Sequence, residues 1–242
     1  MAKVLKSKLT SFKSWLNYEK RDLKDGFLVY PKRRILFLFL GILLLWSSLV
    51  KLWAATHSEV IICWDSFLID QIRHLATPLL DKFFFLVTDL GSGIFISAAF
   101  FVLSVYLFAR RRRRAAITVL VTLVSSAVFL EVLKTFLGRP RPLGYCLPGI
   151  LGKGCASFPS GHAGGSFYFY GMLFYLLARF GGLKRVFVSI LGAGFLILIL
   201  LIGLSRVYLG FHYLTDILAG FLLGGIFLLA GIILVDFFYH LK

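Results

Sequence analysis

Ionisable groups stand at the ends of several long apolar runs in this chain, where they are expensive and therefore informative. Lys134 closes one run and leads into Gly138-Arg139-Pro140-Arg141-Pro142. Pro159-Ser160-Gly161-His162 opens a second run, Ser205-Arg206 closes a third, and His212 with Asp216 opens a fourth. Lys134, Arg141 and Arg206 suit a tetrahedral oxyanion, the arginines as forked donors and the lysine as a point charge. Ser160 and Gly161 fall where a helix begins, so free backbone N–H groups and the positive dipole end favour an anion there. His212 and Asp216, four residues apart, share a helix face on which a carboxylate can hold an imidazole N–H. An imidazole held this way is a nucleophile or base, and His162 from another helix can serve as the acid. No group of carboxylates offers a magnesium site, so no metal or other cofactor is expected. The chemistry indicated is metal-free phosphoryl transfer.

The elements that position these groups are membrane helices. Of the 242 residues, 59% are hydrophobic and 16% charged, which leaves too little polar surface to coat a soluble globule. Six apolar runs, near 35–55, 93–109, 115–137, 162–178, 186–205 and 213–235, approach the roughly 20 helical residues needed to span a bilayer. None alternates with period two, which excludes a β-barrel reading. The expected fold is therefore all-α, a six-span transmembrane helical bundle over residues 35–242. A basic N-terminal segment, 1–34, precedes it. In that segment Leu5, Leu9, Phe12 and Leu16 recur at helical spacing, as in an interfacial helix on the inner leaflet.

The net charge of +16 would suggest nucleic acid on a soluble protein, but here the basic residues punctuate apolar runs, so no nucleic-acid partner is expected. Nineteen of the 27 Lys and Arg fall before the first run, in Arg110–Arg114, between the fourth and fifth runs, or at the C-terminus. The positive-inside rule places that side and both termini in the cytoplasm, and the four charged helix ends on the outer face of an inner membrane. The outer segment 56–92 is too long for a turn. Thr77-Pro78 reads as a helix cap followed by proline at the first helical position, Gly91 as its stop, and Phe83–Val87 as apolar enough to meet the interface. Cys146 and Cys155 lie in one outer loop, in an oxidising compartment, and are expected to pair as a disulfide, with Cys63 as an alternative partner. His57, His74 and His240 read as ordinary surface histidines. Arg139 reads as a loop cap or a contact to a lipid head group, and Glu131 as a structural partner of Lys134.

The three motifs, Lys134-x6-Arg141-Pro142, Pro159-Ser160-Gly161-His162 and Ser205-Arg206-x5-His212-x3-Asp216, resemble in order and spacing the signature of the type 2 phosphatidic acid phosphatase superfamily. That resemblance implies that His212 attacks phosphorus to form a phosphohistidine and that Asp216 orients it. It implies that His162 protonates the leaving oxygen and then activates water, while Lys134, Arg141, Ser160, Gly161 and Arg206 hold the phosphoryl oxygens. Ser205 would have a positioning role. The substrate so implied is a lipid phosphomonoester or pyrophosphate, such as undecaprenyl pyrophosphate, phosphatidylglycerophosphate, phosphatidic acid or lipid A phosphate. A phosphotransferase is a close variant. A lipid or anion transporter is the rival, since glycine-rich helices around a cationic site also suit a carrier.

Overall fold

A computed structural model of the chain describes residues 31–142, 147–149 and 152–240. The interfacial helix expected around Leu5, Leu9, Phe12 and Leu16 lies outside the described residues. So does Cys146. The chain divides into residues 1–38 and 39–242, and the buried core belongs to the second unit.

Eight helices follow one another among the described residues: α1 Pro31–Ala55, α2 Glu59–Arg73, α3 Pro78–Asp89, α4 Gly93–Ala109, α5 Arg113–Leu137, α6 Gly161–Phe180, α7 Arg185–Tyr208 and α8 Leu214–His240. Between α5 and α6, two three-residue strands, β1 Leu147–Gly149 and β2 Gly152–Gly154, pair antiparallel with Leu147 opposite Gly154. Thr77 caps α3 as its sequence predicts, its Oγ1 accepting the Leu80 N–H at 3.3 Å with Pro78 in the first turn. Ser92 and Ser160 cap α4 and α6 in the same way.

Four helices are long and apolar enough to cross a membrane by length and composition, in segments Ile35–Ala55, Arg113–Leu137, Arg185–Tyr208 and Leu214–Phe238. A fifth arises if α3 and α4, which meet at a 41° bend, count as one span. The fourth expected run, now α6, falls short because it carries Gly, Ser, His and Tyr where the others carry Leu and Ile. Its position explains that composition. α6 packs against α4, α7 and α8, and buries Tyr168, Phe169, Tyr170 and Met172. A helix walled in by others presents little surface to lipid and can use residues that lipid would reject.

The main core lies among α4, α5, α6 and α7, where Phe100 stacks on Tyr168 at 5.0 Å and meets Phe169 edge-on at 4.8 Å. The Tyr168 hydroxyl is paired with Thr122, so its polar end is satisfied inside the apolar cluster. Because lipid is as apolar as these side chains, association depends on close packing. α6 and α8 provide it: a Cβ on Gly220 or Gly224 would run into the α6 backbone at Ser160 and Gly164. The N-terminal ends of α6 and α8 are thereby pressed together, and the charged residues stand at that junction.

Candidate active site

The turn from α7 into α8 accounts for the spacing of Ser205, Arg206, His212 and Asp216. After Tyr208 the chain reverses through Gly210, whose φ of +71° is a left-handed conformation that favours glycine. The N–H groups of Phe211 and His212 then donate back to the Arg206 carbonyl at 3.0 and 3.2 Å. Five intervening residues thus bring His212 back over the end of α7, beside Arg206. Ser205 is fully buried and donates to the Ile202 carbonyl at 2.6 Å, a bond within its own helix.

His212 is 2% exposed and Asp216 is fully buried. Nδ1 of His212 stands 3.5 Å from Oδ2 of Asp216, within reach of its charge but without the alignment of a hydrogen bond. On the other side of the ring, Nη1 of Arg141 lies 3.4 Å from Nε2. Arginine has no acceptor, so Nε2 must offer its lone pair and the ring proton sits on Nδ1, facing the carboxylate. The imidazole therefore presents a nucleophilic nitrogen toward a guanidinium, which is where an anionic group would be drawn. Burial, with help from Arg206 and Arg141, pushes His212 down to about 4 against the opposing pull of Asp216, so the ring is neutral at physiological pH.

Two cations, Arg141 and Arg206, act on this ring, and a third, Lys134, lies in reach of both. Arg141 also donates from Nε to the Gly154 carbonyl at 3.1 Å and from Nη1 to the Phe211 carbonyl at 3.1 Å, which locks its plane. Burial draws it below the usual arginine value, and Asp216 works in the opposite direction. Arg206 donates to Thr88 Oγ1 on α3 at 2.9 Å and lies 4.5 Å above the Phe211 ring. Its Nε is buried without a protein partner. Lys134 pairs with Glu131 at 3.7 Å, as their spacing predicts, and lies in electrostatic reach of Arg141 and Arg206. Its Nζ is 3.7 Å from where a side chain on Gly161 would begin, so a larger residue there would crowd it.

The head of α6 completes the group. Ser160 N–H donates to the Asp216 carbonyl at 3.0 Å, tying the Pro159-Ser160-Gly161-His162 segment to α8. His162 is in electrostatic reach of Arg206, His212, Lys134 and Arg141. Lys134, Gly161 and His162 are partly exposed while His212, Asp216, Arg206 and Ser160 are buried. The two sets mark an open side and a closed floor. All eight residues singled out for catalysis and phosphate binding therefore come from three distant segments to one junction. Cys155 is disulfide-bonded and Cys63 is free and exposed.

Two groups in this region escape a reading by motif. Arg139 turns away from the open side: Nη1 donates to Asp216 Oδ1 and to Thr215 Oγ1 at 2.7 Å each, and Nη2 donates to Asp65 Oδ2 at 2.8 Å. Its guanidinium is directed at buried acceptors on α2 and α8, while its carbonyl accepts the Ser157 N–H of the loop at 2.7 Å. Asp65, on a helix that begins after Ser58, carried one signal, a carboxylate inside the apolar stretch Ile61–Ile69.

The comparisons with known proteins now bear on this geometry. The PAP2 superfamily profile matches residues 115–239, from the start of α5 to the end of α8. The chain belongs to the PAP2 superfamily. It is 28% identical over 174 residues to phosphatidylglycerophosphatase B of Bacillus subtilis, covering 71% of this chain and 83% of that protein. It is 31% identical over 131 residues to an undecaprenyl-diphosphatase of Sulfolobus acidocaldarius, covering 51% of this chain and 56% of that one. The crystal structure of a transmembrane PAP2-type phosphatidylglycerolphosphate phosphatase from Bacillus subtilis superposes with a TM-score of 0.73 at 25% identity, over 84% of this chain and 98% of the other. With its apolar helices, that likeness makes this PAP2 member a multi-pass membrane protein.

Proposed function

We propose that this chain is a lipid phosphate phosphatase working through a phosphohistidine at the outer face of a cytoplasmic membrane. The observation that carries the reading is the orientation of His212, whose Nε2 faces Arg141 while Nδ1 faces Asp216. In the proposed reaction Nε2 attacks phosphorus in line with the lipid oxygen. The N–P bond forms as the P–O bond to the lipid breaks, and His162 gives the leaving oxygen its proton. Charge on the three equatorial oxygens is met by Arg141, Arg206 and Lys134 and by the free N–H groups at the head of α6. Water then attacks the phosphohistidine, His162 takes its proton, and inorganic phosphate leaves. Asp216 opposes the positive charge that the ring gains in the first step.

Support for a lipid substrate comes from the relatives, which are named for phosphatidylglycerophosphate and undecaprenyl diphosphate. Both place a phosphate at the end of an apolar body, which suits a site at the ends of membrane helices. The reading takes α6 as a span as well, the fourth of six, with the basic loops inside and the charged junction outside. On that topology the disulfide of Cys155 stands in an oxidising compartment with Cys146 as its proposed partner.

The test is phosphate release by the purified protein from phosphatidylglycerophosphate, undecaprenyl diphosphate and phosphatidic acid, beside His212→Ala. Release from at least one lipid, abolished in the variant, is expected. No release from any of them, or undiminished turnover in His212→Ala, would overturn the proposal.

A further inference from the structure

The proposed reaction uses Asp216 and leaves unexplained the array behind it. Asp65 on α2 is 2% exposed, and Asp216 on α8 is fully buried. One guanidinium, Arg139, bridges the two carboxylates at 2.8 and 2.7 Å and lies 4.2 Å above the Tyr213 ring. Thr215 closes the array. Its hydroxyl donates to Asp65 Oδ2 at 2.5 Å and its N–H to Asp65 Oδ1 at 3.3 Å, so a carboxylate from α2 caps the first turn of α8. Asp216 meanwhile turns Oδ2 back to accept the Tyr213 N–H at 2.9 Å, in the manner of a capping box. Every oxygen of both carboxylates is thus committed, and the face of Asp216 toward His212 has a fixed direction.

The charges explain why two carboxylates share one cation. Paired with Arg139 alone, Asp216 would be neutralised and would do little for an imidazole gaining positive charge. Asp65 draws the guanidinium's charge the other way, and the array keeps a net negative charge beside His212. We propose that Asp65 and Arg139 are positioning residues for the phosphoryl-transfer reaction, fixing Asp216 and setting how much of its charge His212 feels. This rests on the phosphohistidine reading above. α2 lies before residues 115–239, so a helix outside the matched region would be part of the catalytic apparatus.

The groups facing His212 are Asp216 from α8, Arg206 from α7, Arg141 from the segment after α5, and His162 from α6. Asp65 and Arg139 reach it through Asp216. Their substitutions therefore move the ring in opposite directions. Arg139→Gln frees the negative charge of Asp216 and raises the acid limb of the kcat/KM profile, by about half a pH unit. Asp65→Asn returns the whole guanidinium to Asp216 and moves that limb down.

The experiment measures kcat, KM and the pH profile of phosphate release from phosphatidylglycerophosphate for the wild type, Asp65→Asn, Arg139→Gln and the double variant. Each single change should lower kcat by about tenfold with KM within about twofold, the unchanged KM showing an intact substrate site. The double variant should lose less than the product of the single losses, because both act through one carboxylate. Thr215→Val, which removes the hydroxyl that joins the array, should lower kcat without raising KM even if Asp65→Asn does not fold. Losses that multiply would overturn the inference. So would an acid limb unmoved in Arg139→Gln, or a raised KM with kcat held, which would make Arg139 a contact to substrate. Variants with full kcat in an active protein overturn this inference alone; a wild type that releases no phosphate from any lipid overturns the proposed function and this inference with it.

Discussion

Gly220→Ala adds one methyl group where α8 crosses the head of α6, and the consequence can be followed atom by atom. The new Cβ would lie 2.5 Å from the Ser160 carbonyl oxygen, 2.9 Å from the Ala163 Cβ and 3.1 Å from the Gly164 nitrogen. These are backbone atoms or a methyl fixed to the backbone, so no rotamer change relieves the clash. Ordinary contact begins at 3.4 Å, so the two helices must part by about 0.9 Å at this point. Gly220 is one turn beyond Asp216, and the Ser160 N–H that donates to the Asp216 carbonyl at 3.0 Å spans the same gap. Parting the helices lengthens that bond and carries Ser160, Gly161 and His162 away from His212. Overpacking of this kind destabilises by about 1–3 kcal/mol, which a packed bundle can absorb. A displacement near 1 Å between acid and nucleophile costs roughly 100-fold in rate. The expected outcome is a folded Gly220→Ala protein with kcat/KM for phosphatidylglycerophosphate down about 100-fold and a moderately lowered melting temperature. Gly194→Ala is the control, because a Cβ there meets nothing within 4 Å. It should keep full activity and gain up to about 1 kcal/mol from helix propensity. A folded Gly220→Ala protein within threefold of wild-type activity would refute the claim that the α6–α8 contact sets the distance between acid and nucleophile.

Three further outcomes are expected. Because His212 is held at about 4, below its ordinary 6.5, the acid limb of kcat/KM should fall well below pH 6.5; a limb at 6.5 or above would contradict the buried, neutral nucleophile. The unfolded chain takes up the extra proton between about 4 and 6.5. The contribution of His212 to stability is therefore complete above about 6.5 and erodes as pH falls toward 4, which thermal unfolding across that window would register. For topology, in a Cys63→Ser background a cysteine at the exposed His74 should react with an impermeant maleimide from outside, and one at the exposed Arg110 only after the membrane is opened. The reverse pattern would put the charged junction in the cytoplasm.

What the sequence makes legible here is what depends on short spacings. His212 and Asp216 share a face because the helix repeats every 3.6 residues, and Thr77-Pro78 marks a helix start because capping is local chemistry. The cations and the head of α6 were legible as a set because each stands where an apolar run ends. The count of spans was less legible. A hydropathy window measures how a helix suits lipid, and α6 is adapted instead to the helices around it.

The partners were least legible, because they come from far along the chain. Arg139 sits beside the signature arginine and reads from the sequence as a loop cap or a lipid contact, yet its guanidinium turns to carboxylates 74 and 77 residues away. Arg206 is held by Thr88, 118 residues away. Nothing in a local pattern distinguishes an arginine that meets substrate from one that holds another residue in place, since both stand at the same helix end with the same neighbours. The distinction lies in which buried acceptors are near. Two of these three partners, Asp65 and Thr88, belong to α2 and α3, ahead of residues 115–239 that carry the family match. Those helices show none of the family's motifs, yet Asp65 takes hold of Arg139 and Thr88 of Arg206, so the segment before α5 helps to set the geometry at the junction. Two PAP2 members with the same signature can therefore differ in the directions of these two guanidiniums while every signature residue stays the same.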